Sequence, residues 1–165
     1  MATKTNIRWQ KRVDRPYNAI HDALTMHASE VFSSATTRAE TQANSVVSDL
    51  HTKIAGLEFR KDVDIKIRTY TDIETTTERK MVIDLEWKAA ESKFLFPTMT
   101  AQLHVFPIKE NSTQFDFRGE YEPPLGFLGK AIDVVVGHRI ANACVEHFVE
   151  EVAQYFERSL SNVTE

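Results

Sequence analysis

Cysteine is nearly absent: Cys144 is the only one in 165 residues. An intrachain disulfide and any multi-cysteine metal site are thereby excluded, and a reducing, cytoplasmic setting is the expectation. Five glycines and five prolines are too few for a low-complexity or collagen-like chain, and no glycine-rich phosphate-cradling loop occurs. No apolar run approaches the ~18 residues that span a bilayer. The opening "MATKTNIRWQ" lacks the apolar core of a secretion signal. Neither sign of charge dominates, with 20 Lys and Arg against 24 Asp and Glu. That balance argues against a nucleic-acid partner, since such binders usually carry an overall basic domain. The early cluster Arg8, Lys11, Arg12 and Arg15 then reads as a solvated edge strand.

What is present is periodicity. Residues 5–13 alternate loosely and predict a first strand. In "DRPYNAIHDALTMHASEVF", Asp14 reads as an N-cap and Pro16 lies in the first turn. Tyr17, Ile20, Leu24, Ala28, Val31 and Phe32 follow at helical spacing, so a helix is predicted from about 16 to the mid-thirties. The continuation through 33–44 is left open. From 45 the period changes to two. Val63, Ile65 and Ile67 share a face, as do Met81, Ile83, Leu85, Trp87 and Ala89. Met99, Ala101, Leu103 and Val105 do the same, and so do Phe115, Phe117, Gly119 and Tyr121. Charged or polar residues stand between them, which predicts an antiparallel meander with one wet face.

After "EPPLG" an apolar helical pattern runs from about 125 to 160. Its stripe is Phe127, Ala131, Val134, His138, Ala141, Val145, Phe148, Val152, Phe156 and Leu160, one continuous seam. His138 belongs to that seam, whereas Gly137 and Arg139 sit about 100° to either side. A polar ring on an apolar seam needs a partner. Two readings stand: a core histidine bonded to a carbonyl, to Tyr121 or to water, or a polar contact inside a ligand cavity. On the reverse side Ile132, Val136 and Ile140 are apolar, so the N-terminal helix or a second copy covers them.

Signatures of catalysis are missing. No carboxylate lies on a confident inward register, so no general acid–base pair stands out. His21 and His27 are six apart, about 240° round a helix, and cannot chelate one metal. His147, Glu151, Glu146 and Glu150 form i,i+4 pairs on a charged face, the ordinary dress of a solvated helix. Cys144 has no evident base and reads as a packing residue. The reading therefore assigns no catalytic residue, metal or cofactor.

The junction "FRGEYEPPLGFLGKAIDVVVGHRIANACVEHFVEEVA" carries a Gly-x-Tyr-x-Pro-Pro-Leu-Gly strand end followed by Leu-Gly-x3-Asp. These residues are Gly119, Tyr121, Pro123, Pro124, Leu125, Gly126, Leu128, Gly129 and Asp133. The stretch resembles bacterial members of the START and pollen-allergen superfamily, also called SRPBCC, and the element order resembles that family's over nearly the whole chain. The resemblance implies an α+β helix-grip fold in a single START-like domain, 1–165. A curved antiparallel sheet of about six or seven strands would wrap around a long C-terminal helix, with one or two shorter N-terminal helices. The plant branch carries a glycine-rich loop between two early strands; here Gly56 stands alone, so that branch's ligands are not transferred.

The resemblance also implies an apolar or amphipathic ligand, lipid-like or polycyclic, held between sheet and helix. Its expected contacts are Met81, Leu85, Trp87, Met99, Leu103, Phe115, Phe117, Tyr121 and His138. An ordinary filled core has the same makeup. Two alternatives therefore stay open. One is a cyclase- or aromatase-type enzyme with Tyr121 and His138 exchanging a proton. The other is a filled-core interaction domain, homodimeric through Ile132, Val136 and Ile140. Phe94, Leu95 and Phe96, just before Pro97, read as folded-back core or as a rim at the cavity mouth.

Overall fold

The computed structural model describes residues 4–32, 35, 63–89, 98–122 and 134–160. Strand β1 (Thr5–Val13) leads into helix α1 (residues 17–32). Four long strands follow: β2 (Val63–Glu74), β3 (Arg79–Ala89), β4 (Thr98–Lys109) and β5 (Ser112–Glu122). Helix α2 (Val134–Ser159) closes the described chain. The five strands make one antiparallel, curved sheet in the order β1-β5-β4-β3-β2. The strand read from residue 45 and the start of the long helix, 125–133, lie outside the described residues.

Alternation decides the faces, as read from the sequence. Met81, Ile83, Leu85, Trp87, Met99, Leu103, Val105, Phe115, Phe117 and Tyr121 are all buried on the inner side. Register turns them into rows. Trp87 pairs Met99, which pairs Tyr121, which pairs Thr5. Two rows further along lie Ile83, Leu103, Phe117 and Trp9, and then Met81, Val105, Phe115 and Lys11. In β2 the register shifts between Ile67 and Thr69, so Arg68 is the extra residue of a bulge. Arg68 and Thr69 consequently both serve the outer face, bonding Glu86 and Asp84 respectively.

Helix α2 is 26 residues, about 39 Å at 1.5 Å per residue. Its seam residues Ala141, Val145, Phe148, Val152 and Phe156 are buried against the sheet. Phe148 meets Phe117, Trp87 and, from α1, Phe32, with ring centroids 5.1–6.0 Å apart. Phe156 stacks on Phe115 at 5.9 Å. Over this stretch the space between sheet and helix is a packed aromatic core. Each such ring removes on the order of 150–250 Å² from water, which is why the helix lies where it does.

Two details depart from the sequence reading. Asp14 does not cap α1: the Ile20 N–H bonds the Pro16 carbonyl, which makes Pro16 the cap residue, and the Asp14 carboxylate pairs with Arg12 at 3.3 Å. Nor is the basic cluster merely a solvated edge. Lys11 stands on an inward register and reaches Glu150 of α2 at 3.0 Å. Arg15 donates to the carbonyls of Leu160 and Glu157, satisfying acceptors that a helix end leaves orphaned. The Arg15 carbonyl in turn accepts from the Thr113 hydroxyl.

Candidate functional site

The structure brings three of the expected polar handles to one end of the inner face. Trp87 and Tyr121 occupy the same row with Met99 between them, two strand spacings or roughly 10 Å apart. Tyr121 is wholly buried, and its hydroxyl meets His138 Nδ1 at 2.9 Å. Burial pushes the Tyr121 phenol above its ordinary range, opposed by a hydrogen bond from the Thr5 side chain. The phenol therefore stays protonated and is the natural donor toward the imidazole. His138 itself is exposed. Of the two readings of this histidine, the bond to Tyr121 is present, but the ring is not a core residue. The seam passes from buried at Ala141 to solvent-reached at His138, a single turn earlier.

Trp87 is 4 % exposed, and its indole N–H finds no acceptor among the described residues. Its ring lies 5.9 Å from Phe117 and 5.1 Å, edge to face, from Phe148. The remaining expected contacts divide. Met99 sits between the two polar ends of the row. Leu85 belongs to the next row in, beside Ala101 and Gly119. A Cβ built on Gly119 would stand 3.0 Å from Met99 Sδ, 3.1 Å from Phe117 and 3.2 Å from Ile7. Met81, Leu103, Phe115 and Phe117 lie deeper, and the latter two pack ring to ring with Phe156 and Phe148. Ile132 and residues 91–97 fall outside the described residues, as do the side chains of Val136 and Ile140.

Sequence reasoning missed a polar network on the outer face. Asp116 is wholly buried there, beneath Arg8 (2.8 and 2.7 Å) and Arg118 (2.9 and 2.7 Å). Burial pushes its carboxyl up, yet the hydrogen bonds and charges of the two guanidiniums outweigh burial and hold it below the usual carboxylate range. Asp84 accepts from Thr69 and Gln102, and these bonds likewise lower its pKa. Gln102 reaches His104 at 3.2 Å; burial, then the charges of Arg118 and Lys80, depress that imidazole. Arg8, Arg68 and Arg118 wall an open groove of about 710 Å³ on this face. Arg8 and Arg118 share Asp116, and Arg68 pairs with Glu86. The only signal for it in the sequence was opposite charges at neighbouring outward positions.

Among the described residues no group of His, Cys, Asp and Glu is placed to hold a metal ion. No described helix is long and apolar enough to cross a membrane.

No family model matches the sequence, and no curated protein matches it either. Solved structures do. A conserved protein from Geobacillus kaustophilus superposes with a TM-score of 0.51 at 14% identity, over 94% of this chain and 97% of that one. The Zhui aromatase/cyclase from Streptomyces sp. R1128 gives 0.49 at 11%, over 98% and 99%. A START superfamily protein from Mycobacterium smegmatis gives 0.47 at 13%, over 94% and 99%. Identities this low speak to architecture alone. With the element order and the sheet-on-helix arrangement, the chain has the helix-grip α+β fold.

Proposed function

We propose that this protein binds an apolar or amphipathic small molecule at the end of the sheet–helix space bounded by Trp87, Met99, Tyr121 and His138. The observation that carries the reading is the opening of the α2 seam. His138 is exposed while its ring bonds a wholly buried phenol on the facing strand. Solvent thus comes within one hydrogen bond of the inner face, at a row that is apolar between two polar ends. Apolar walls with a few converging donors are the usual makeup of small-molecule sites. Deeper in, Phe115, Phe117, Phe148 and Phe156 serve as core, which revises the role of Phe115 and Phe117 from ligand wall to floor. A cytoplasmic, single-domain binding protein is the corresponding setting.

Native mass spectrometry of the expressed protein tests this reading. A co-purified apolar molecule, displaced by a panel of lipids and polycyclic aromatics, is the expected result. Repeated failure of the whole panel to bind overturns it.

A second reading rests on the 2.9 Å contact itself. A protonated phenol beside an imidazole that reaches solvent could pass a proton to a bound substrate, as a cyclase-type enzyme requires. In that case His138→Ala abolishes turnover while the fold survives.

A further inference from the structure

Resting on the binding site just proposed, we infer that Trp87 is its specificity-determining residue. Its indole N–H selects apolar ligands that carry an oxygen acceptor, such as an aromatic ketone. The two polar ends of the row are not equivalent. Tyr121 is already engaged, its hydroxyl 2.9 Å from His138 Nδ1, so it has less to offer a ligand. Trp87 is the reverse case. It is almost fully buried, yet its only polar atom has no acceptor among the described residues. The rings of Phe117 and Phe148 surround it, and aromatic faces are weak acceptors at best. Native structures seldom leave a buried donor unsatisfied, and each such case calls for an explanation.

The position supplies one. Trp87 projects from the inner face of β3 in the row that holds Tyr121, whose hydroxyl bonds the solvent-reached His138. An oxygen acceptor on a flat apolar molecule lying along Met99 would meet the N–H there. A molecule of the same shape without the oxygen would bury the donor unpaired. Unmade bonds of this kind are what produce discrimination against isosteres.

Trp9 is the built-in comparison. Its indole N–H is likewise without an acceptor among the described residues, but it stands two rows deeper, beside Phe117 on β1. As these are the only two tryptophans, each indole can be followed separately.

The test uses two isosteric probes, 9-fluorenone and fluorene, which differ in the carbonyl oxygen. The wild-type protein should bind fluorenone about tenfold more tightly than fluorene. Trp87→Phe keeps an aromatic ring against Phe148 but has no donor, and should bind the two alike. Independently of that variant's folding, fluorenone should move the Trp87 indole N–H resonance of the wild type downfield and leave Trp9 in place. Either Trp87→Phe or Trp9→Phe assigns the two signals. If both probes bind the wild type equally, or the Trp87 signal does not respond, the donor role is overturned while the apolar site stands. If neither probe binds, both fail.

Discussion

Arg8 on β1 and Asp116 on β5 hold each other through two parallel hydrogen bonds, 2.8 and 2.7 Å long, on the face turned away from the helix. Arg118 lies over the same carboxylate from its own strand. The carboxylate is buried by its partners' side chains, whereas both guanidiniums keep more than half of their surface in water. Charge-assisted bonds of this bidentate kind are the strong ones, but half-exposed cations are screened. Asp116→Ala should therefore cost about 2 kcal/mol in chemical denaturation. Arg8→Ala and Arg118→Ala should each cost less, because the other cation remains. The double variant should lose more than the two singles together, since each single keeps one cation on the carboxylate and the double keeps neither. Simple additivity would mean that the two arginines act separately.

His104 stands directly opposite Asp116, with Gln102, Asp84, Lys80 and Arg118 around it. Its pKa in the folded protein is lowered from the ordinary 6.5, so the unfolded chain binds more protons in the interval below that value. Stability from this group is complete above pH ~6.5 and is lost as pH falls through the folded pKa. Asp116 has the same sign at lower pH, its contribution present above ~3.9 and lost below. Denaturation midpoints should accordingly fall in two stages on acidification. His104→Gln should flatten the first and leave the second. An unaltered two-stage decline in that variant would show that His104 takes no part.

At Gly119 the inner face is closely filled. An added methyl meets Met99 Sδ, which can give way, and also Phe117, which is held by Trp87 and Phe148. Overpacking costs roughly 1–3 kcal/mol, offset in part by the ~0.5–1 kcal/mol that alanine gains over glycine in regular structure. Gly119→Ala should destabilise by about 1 kcal/mol. A neutral or stabilising result would show that Met99 and its neighbours have slack at this point of the row.

Much of the fold was legible because β3, β4 and β5 alternate cleanly along their inner faces. The inner residues of β3, β4 and β5 named from the sequence are on that face, Ala89 alone lying outside the described side chains, and the α2 seam holds from Ala141 to Phe156. What escaped depends on residues far apart in the chain. Asp116 is buried on a face that alternation marks as wet, and its cover comes in part from Arg8, 108 positions away. Lys11 looked solvated because Glu150 is invisible from β1. His138 was placed correctly on the seam, but periodicity cannot say where along its length a helix parts from a sheet. Tyr121 as its partner was among the alternatives read from the sequence, and that contact is present.

The bulge at Arg68 has a consequence for how α1 is held. Below it Ile67 pairs with Leu85 and packs on the core; beyond it Asp72 pairs with Met81, also an inward position, and meets His21 of α1 at 2.9 Å. One supernumerary residue thus lets a single edge strand feed hydrophobic bulk to one neighbour and an anchoring carboxylate to another. Were the strand to pair regularly instead, with Arg68 taken into the ladder opposite Asp84, its far half would turn inside out and the first helix would be unmoored, with the near half untouched.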